Sequence, residues 1–111
     1  MNYIKFNDFL KVNMRVGIIR EVEDFREARN PSYKLKVDFG DEIGIKQSCA
    51  QVTNYSKEEL IGKEVVCVVN LEPKQIATAV SEVLILGVPT EDKGTALLSP
   101  DMTAVLGSRV F

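Results

Sequence analysis

The side chains able to do covalent or metal chemistry in this chain of 111 residues are Cys49, Cys67 and 16 carboxylates, and histidine is absent. The two cysteines lie 18 positions apart and form no C-x-x-C pair. A tetrahedral zinc site draws on about four Cys, His or carboxylate ligands, so no metal and no other cofactor is expected. Without an imidazole base, Cys-His pairs and Ser-His-Asp triads are excluded. No two carboxylates stand at a spacing that singles them out for acid–base work, and the chain reads as a non-enzyme. Cys67, in the apolar run VVCVVNL, reads as a small core residue. What remains is surface chemistry: Lys34, Lys36, Lys46 and Ser48 sit in two consecutive strand-like runs, where ammonium groups and a hydroxyl can meet an anion.

Those runs need a scaffold. The length suits one domain, 1–111, and 45% apolar residues suffice for one core. A formal charge of −2 and a sequence pI near 5.2 give no bulk nucleic-acid footprint, so any basic site must be local. No apolar run reaches the ~20 residues of a membrane span, and the start MNYIKFNDFLKVN lacks the apolar stretch of a signal peptide. A cytoplasmic protein without membrane insertion is expected.

The periodicity is that of strands. Met14, Val16 and Ile18 alternate with Arg15 and Gly17 in a long first strand; Tyr33, Leu35, Val37 and Phe39 alternate with Lys34, Lys36 and Asp38 in a second. Gly40-Asp41 is a turn signal, which makes EIGIKQSCAQ the third strand and the second arm of a hairpin. Ser56 with Glu59 resembles a capping box, and Gly62 ends a short helix. Strand four spans 64–70 and strand five 82–88, with LEPKQIATAVS as a loop between them; TALLSP and SRVF add short strand-like pieces. This layout predicts an all-β protein: a five-stranded Greek-key OB-fold barrel with a short helix between strands 3 and 4 and terminal extensions. Another small barrel or a sandwich is the alternative.

If the hairpin turns at Gly40-Asp41, Leu35 lies near Ile45 and Val37 near Ile43, and Lys34 faces Lys46. A two-residue slip pairs Lys36 with Lys46 instead. Either way the lysines and Ser48 share the outer face. Like charges directly opposite each other destabilise a sheet, and an anionic partner would offset this. The strand-two and strand-three face, with the loops carrying Arg26, Arg29 and Lys74, is where OB-folds bind oligonucleotides. Lysines that merely solubilise an outer face are the alternative. Strands four and five are apolar on both faces, which calls for cover by the terminal segments, another chain or a ligand. A twofold homodimer is the common solution.

The string from Met14 to Val88, including IGIKQSCAQ, NLEP and SEVLILG, resembles the tRNA-binding domain family, which includes the C-terminal domain of many methionyl-tRNA synthetases. Within it the chain is most similar to the CsaA subgroup of export-related chaperones, over roughly residues 8 to 111. The resemblance implies an OB-fold homodimer whose extensions, 1–13 and 95–111, help build the interface. It implies two ligands, tRNA and unfolded or presecretory polypeptide, with export machinery as a further partner. Asn70 and Pro73 match the family's Asn-Leu-x-Pro turn, and Ser81 matches the serine of its Ser-x-Gly-Met motif. The tRNA-facing set is thus Arg29, Lys34, Lys36, Lys46, Ser48, Asn70, Lys74 and Ser81. Val83-Leu84 stand where many relatives have Gly-Met. The loop residues Ile76, Ala77 and Val80, where relatives often carry more Arg or Lys, favour a peptide-binding pocket. The alternative function is a tRNA-binding accessory protein acting with an aminoacyl-tRNA synthetase.

Overall fold

A computed structural model describes all residues, 1–111. The long first strand, β1 (Met14–Asp24), pairs antiparallel with β2 (Tyr33–Asp38) along its second half and with β4 (Glu64–Val68) along its first. A bulge between Ile19 and Glu21 lets one strand serve both neighbours, because the extra residue bends it. On the other side of β2 lies β3 (Ile45–Ala50), and β4 continues to the short β7 (Leu84–Ile85), so the sheet order is β3-β2-β1-β4-β7. A hairpin of β5 (Lys74–Ile76) and β6 (Ala79–Ser81) projects between β4 and β7, and β8 (Gly87–Pro89) pairs with β9 (Thr95–Leu97). This is the OB-fold barrel the periodicity predicts.

The core is the inward alternation of these strands. Ile19, Leu35, Val37, Val65 and Cys67 are completely buried, with Phe39 and Ile85 beside them. Gly17 faces this core because nothing larger fits: a Cβ there would stand 2.5 Å from Val37 Cγ1 and 2.8 Å from Phe39. Leu60, on the one-turn helix α2 (Lys57–Leu60), closes one end of the barrel and is fully buried. The helix begins as its sequence dictates. Ser56 Oγ accepts the Glu59 N–H, the Glu59 carboxylate accepts the Ser56 N–H, and Gly62 leaves at φ 86°.

The β2–β3 hairpin departs from the sequence reading. Its turn is not two residues at Gly40-Asp41 but the longer connection between Asp38 and Ile45, with left-handed glycines at Gly40 and Gly44 and a Gly44 N–H to Gly40 C=O bond of 2.7 Å. Leu35 therefore stands opposite Ser48 rather than Ile45, and Val37 opposite Lys46 rather than Ile43. The displacement is three residues, an odd number, which exchanges the two faces of β3. Ser48 points into the core at 1% exposure, and Ile45 is 58% exposed. Two further expectations change: the strand read over 82–88 breaks at Leu86 into β7 and β8, and LEPKQIATAVS contains the β5–β6 hairpin.

The ends of the chain lie against the barrel. Tail residues 107–110 run beside β1: Val16 N–H donates to Ser108 C=O, Gly107 N–H to Val16 C=O and Val110 N–H to Met14 C=O. The N-terminal helix α1 (Phe6–Leu10) buries none of its side chains.

Candidate functional site

A cleft of about 570 Å³ opens between the β1–β2 loop and the β5–β6 hairpin. Arg29, Asn30 and Ser32 form one wall, Cys49 and Gln51 line its base, and Lys74, Gln75 and Ile76 form the other wall. The hairpin reverses through Ala77 at φ 49°, and Gln75 Nε2 donates to the Ala77 carbonyl at 2.9 Å across the turn. Thr78 at the tip donates to Glu27 of the opposite loop at 3.4 Å. Arg29 and Lys74 take part in no ion pair, so two cations face each other across the cleft. The arrangement suits phosphate oxygens, which charged donors bind more strongly than neutral ones.

The hairpin wall is fastened to the β3 edge largely by side chains. Ser81 Oγ accepts the Cys49 N–H at 3.0 Å and donates to the Val83 carbonyl at 3.3 Å. The Glu82 carboxylate accepts the Gln47 N–H at 2.9 Å, Gln47 Nε2 donates to the Val80 carbonyl at 3.0 Å, and the Gln47 carbonyl accepts the Glu82 N–H at 2.7 Å. These bonds satisfy edge groups of β3 that no neighbouring strand pairs.

Residues 14–109 match the family described as "Putative tRNA binding domain". The chain belongs to the tRNA-binding domain family. Among solved structures it is similar to the CsaA chaperone protein of Picrophilus torridus, at 55% identity and TM-score 0.93, over 98% of this chain and 100% of that one. It is similar to the MetRS related protein of Pyrococcus horikoshii, at 29% identity and TM-score 0.86, over 100% of both chains. The methionine--tRNA ligase of Thermococcus kodakarensis is 40% identical over 111 residues, 99% of this chain and 14% of the enzyme. The chain thus spans about one seventh of the curated relatives it matches.

Within this tRNA-binding domain the structure brings together Arg29, Lys74 and Ile76 around one cleft. Lys34 lies opposite Cys49 and Lys36 opposite Gln47, on the outward face of the hairpin. Lys34 reaches Glu23 at 3.5 Å and lies 5.6 Å above the Phe25 ring, so its charge is partly engaged. Partial burial pushes the Cys49 thiol up from its ordinary value, and the two lysines pull it back. Lys46 alternates to the other face of β3 with Ser48, so neither lysine of β2 stands opposite it. Ser48, expected outside, is inside and has no surface to offer. Asn70 is structural in its contacts: its carbonyl oxygen accepts the Asn13 N–H at 2.9 Å and its amide donates to the Lys11 carbonyl at 2.7 Å. Ala77 is exposed at the turn and Val80 is exposed on β6, opposite Gln75.

Sequence reasoning missed a second hollow of about 290 Å³ beside this cleft, sharing Cys49, Lys74 and Ile76 with it. Leu71, Glu72, Ile76, Glu82, Val83 and Leu84 line it together with Cys49, Lys74 and Ser81. Pro73, which ends the NLEP turn, was the available signal, since it marks Leu71 and Glu72 as loop residues displayed beside a strand edge.

Proposed function

We propose that this chain acts without catalysis of its own, as a cytoplasmic homodimeric chaperone of CsaA type that binds unfolded or presecretory polypeptide and also tRNA. The observation that carries this reading is the full-length likeness, at 55% identity, to the CsaA chaperone protein of P. torridus. On this reading Arg29 and Lys74 meet RNA phosphates in the cleft, Lys34 and Lys36 extend the positive strip, Ser81 holds the hairpin wall in place, and Asn70 ties the NLEP turn to Lys11 and Asn13. Lys46 contributes only long-range charge. Ile76 on one face of the hairpin, Ala77 at its turn and Val80 on the opposite face beside Gln75 offer polypeptide separate apolar contacts. Residues 1–13 and 95–111 form the dimer interface, and export machinery receives the client.

Labelled tRNA and a permanently unfolded polypeptide, titrated separately at several salt concentrations, test both halves. Polypeptide binding that persists at high salt, beside weaker and salt-sensitive tRNA binding, is the expected result. Steeply salt-dependent tRNA binding with no polypeptide signal would instead favour the second reading, an accessory module acting with a synthetase. That reading draws on the 40% identity to a segment of methionine--tRNA ligase.

A further inference from the structure

The hollow at the base of the β5–β6 hairpin, lined by Leu71, Ser81 and Leu84, differs in chemistry from the basic cleft beside it. Its surface is largely aliphatic, from Leu71, Ile76, Val83 and Leu84, and two of these leucines remain half exposed at 51% and 49%. Two carboxylates stand around it, Glu72 and Glu82, against the single cation Lys74. Glu82 spends Oε1 on the Gln47 N–H at 2.9 Å, which fixes the carboxylate beside the hollow and leaves Oε2 uncommitted. At about 290 Å³ the space lies at the lower edge of the roughly 300–1,000 Å³ of ligand clefts, enough for one large side chain. The lining holds no aromatic ring on which a base could stack, and its carboxylates repel phosphate.

We propose that this hollow receives an aliphatic side chain of an extended polypeptide that carries a lysine or arginine beside it, the cation pairing with Glu72 and Glu82. The inference rests on the reading of the chain as a polypeptide binder and names what it selects. The two ligands then meet the same hairpin at neighbouring places: RNA phosphates toward Arg29 and cationic, apolar peptide toward Leu71. Cys49, Lys74 and Ile76 border both clefts, so occupancy of one alters the other through these shared residues.

The test uses fluorescence anisotropy with three short labelled peptides, alternating leucine with lysine, leucine with glutamate, and serine with lysine. The full chain is compared with Leu71→Ser, Glu72→Lys and Arg29→Ala. Leu71 and Glu72 are exposed, and circular dichroism and a thermal melt confirm that the variants fold. The leucine–lysine peptide binds tightest, Leu71→Ser and Glu72→Lys each weaken it about tenfold, and Arg29→Ala leaves it unchanged while weakening tRNA. Unchanged peptide affinity in both hollow variants, or a loss confined to Arg29→Ala, overturns the assignment. So does a fall in tRNA affinity on Leu71→Ser, which would put a base in the hollow. If the wild-type chain binds neither these peptides nor an unfolded polypeptide, the chaperone reading itself fails and takes the inference with it.

Discussion

Ser81 Oγ accepts the backbone N–H of Cys49 at 3.0 Å and thereby fastens the β5–β6 hairpin to the edge of β3. A hydroxyl here replaces a strand partner. Ser81→Ala leaves a half-buried N–H without its acceptor, and a lost hydrogen bond with that consequence costs about 1–2 kcal/mol. Urea unfolding followed by circular dichroism should show this drop, and amide exchange at Cys49 should quicken more than at Val65 in the core. An unchanged midpoint would mean that the seam does not depend on this hydroxyl.

The cleft cations yield an electrostatic prediction. Each phosphate contact removed lowers the slope of log K against log salt by roughly one. Arg29→Ala and Lys74→Ala should each weaken tRNA binding several-fold and flatten its salt dependence. Lys46→Ala should do little, because Lys46 lies on the opposite face phase of β3 from Lys34 and Lys36. Anisotropy titrations at three salt concentrations decide the matter; a Lys46 variant as damaged as Arg29→Ala would contradict the placement.

The barrel was legible in the sequence because its strands alternate cleanly and its helix carries a reciprocal cap, both local signals. The face of β3 was not. Ile43 and Ile45 suggested the inward phase, but Gly40 and Gly44 together make the turn longer than Gly40-Asp41 alone, and an odd displacement reverses every side chain. The short polar Ser48 fits inside opposite Leu35, which no hydrophobicity pattern would indicate. Likewise Ser81 and Asn70 stood out as motif residues, yet their hydrogen bonds go to backbone 32 to 59 residues away in the chain, a relationship visible only once the chain is folded. Arg29 and Lys74 were found because long cations in the two loops of an OB barrel converge whatever the exact register.

The two thiols should differ sharply. Cys67 is fully buried, and burial pushes its pKa up to about 12. Cys49 is partly exposed at the cleft, with its thiol also raised. An aromatic disulfide reagent should modify one thiol per native chain, slowly at neutral pH and faster in alkaline solution, since the thiolate is the reactive form. Denaturant should release the second. Modification of both at one rate under native conditions would contradict the burial of Cys67.

Acid stability should depend on Asp38. Its carboxylate accepts the Gly40 N–H at 2.9 Å and pairs with Arg20 at 3.1 Å, which together hold its pKa below the usual carboxylate range. A group depressed on folding contributes stability that is present above its unfolded value, about 3.9, and is lost as pH falls through the folded value. Asp38→Asn should therefore be less stable than wild type at pH 7, by under about 1 kcal/mol for so exposed a pair. The gap should begin to narrow as pH falls below about 4 and close only below the depressed folded value. Melts across that range measure it, and a gap that widens in acid would reverse the sign.

The terminal segments carry the strongest demand for a partner. A helix of five residues is far too short to persist on propensity alone, yet α1 buries none of its side chains fully, and only Phe9 is half-buried. Phe6 is 71% exposed and Val105 on the tail 77%, and Arg109 bonds the Leu10 carbonyl, which ties the end of the helix to the tail. A second copy related by a twofold axis would cover these residues with their own equivalents, as isologous interfaces do. Sedimentation equilibrium at micromolar concentration should give twice the chain mass of 12.4 kDa, and Phe6→Asp with Val105→Asp should shift the species toward one chain with the barrel's strand signal intact. Both substitutions lie outside the core, so unfolding would not be the cause of dissociation. A wild-type mass of one chain would leave α1 without cover and sink the dimer.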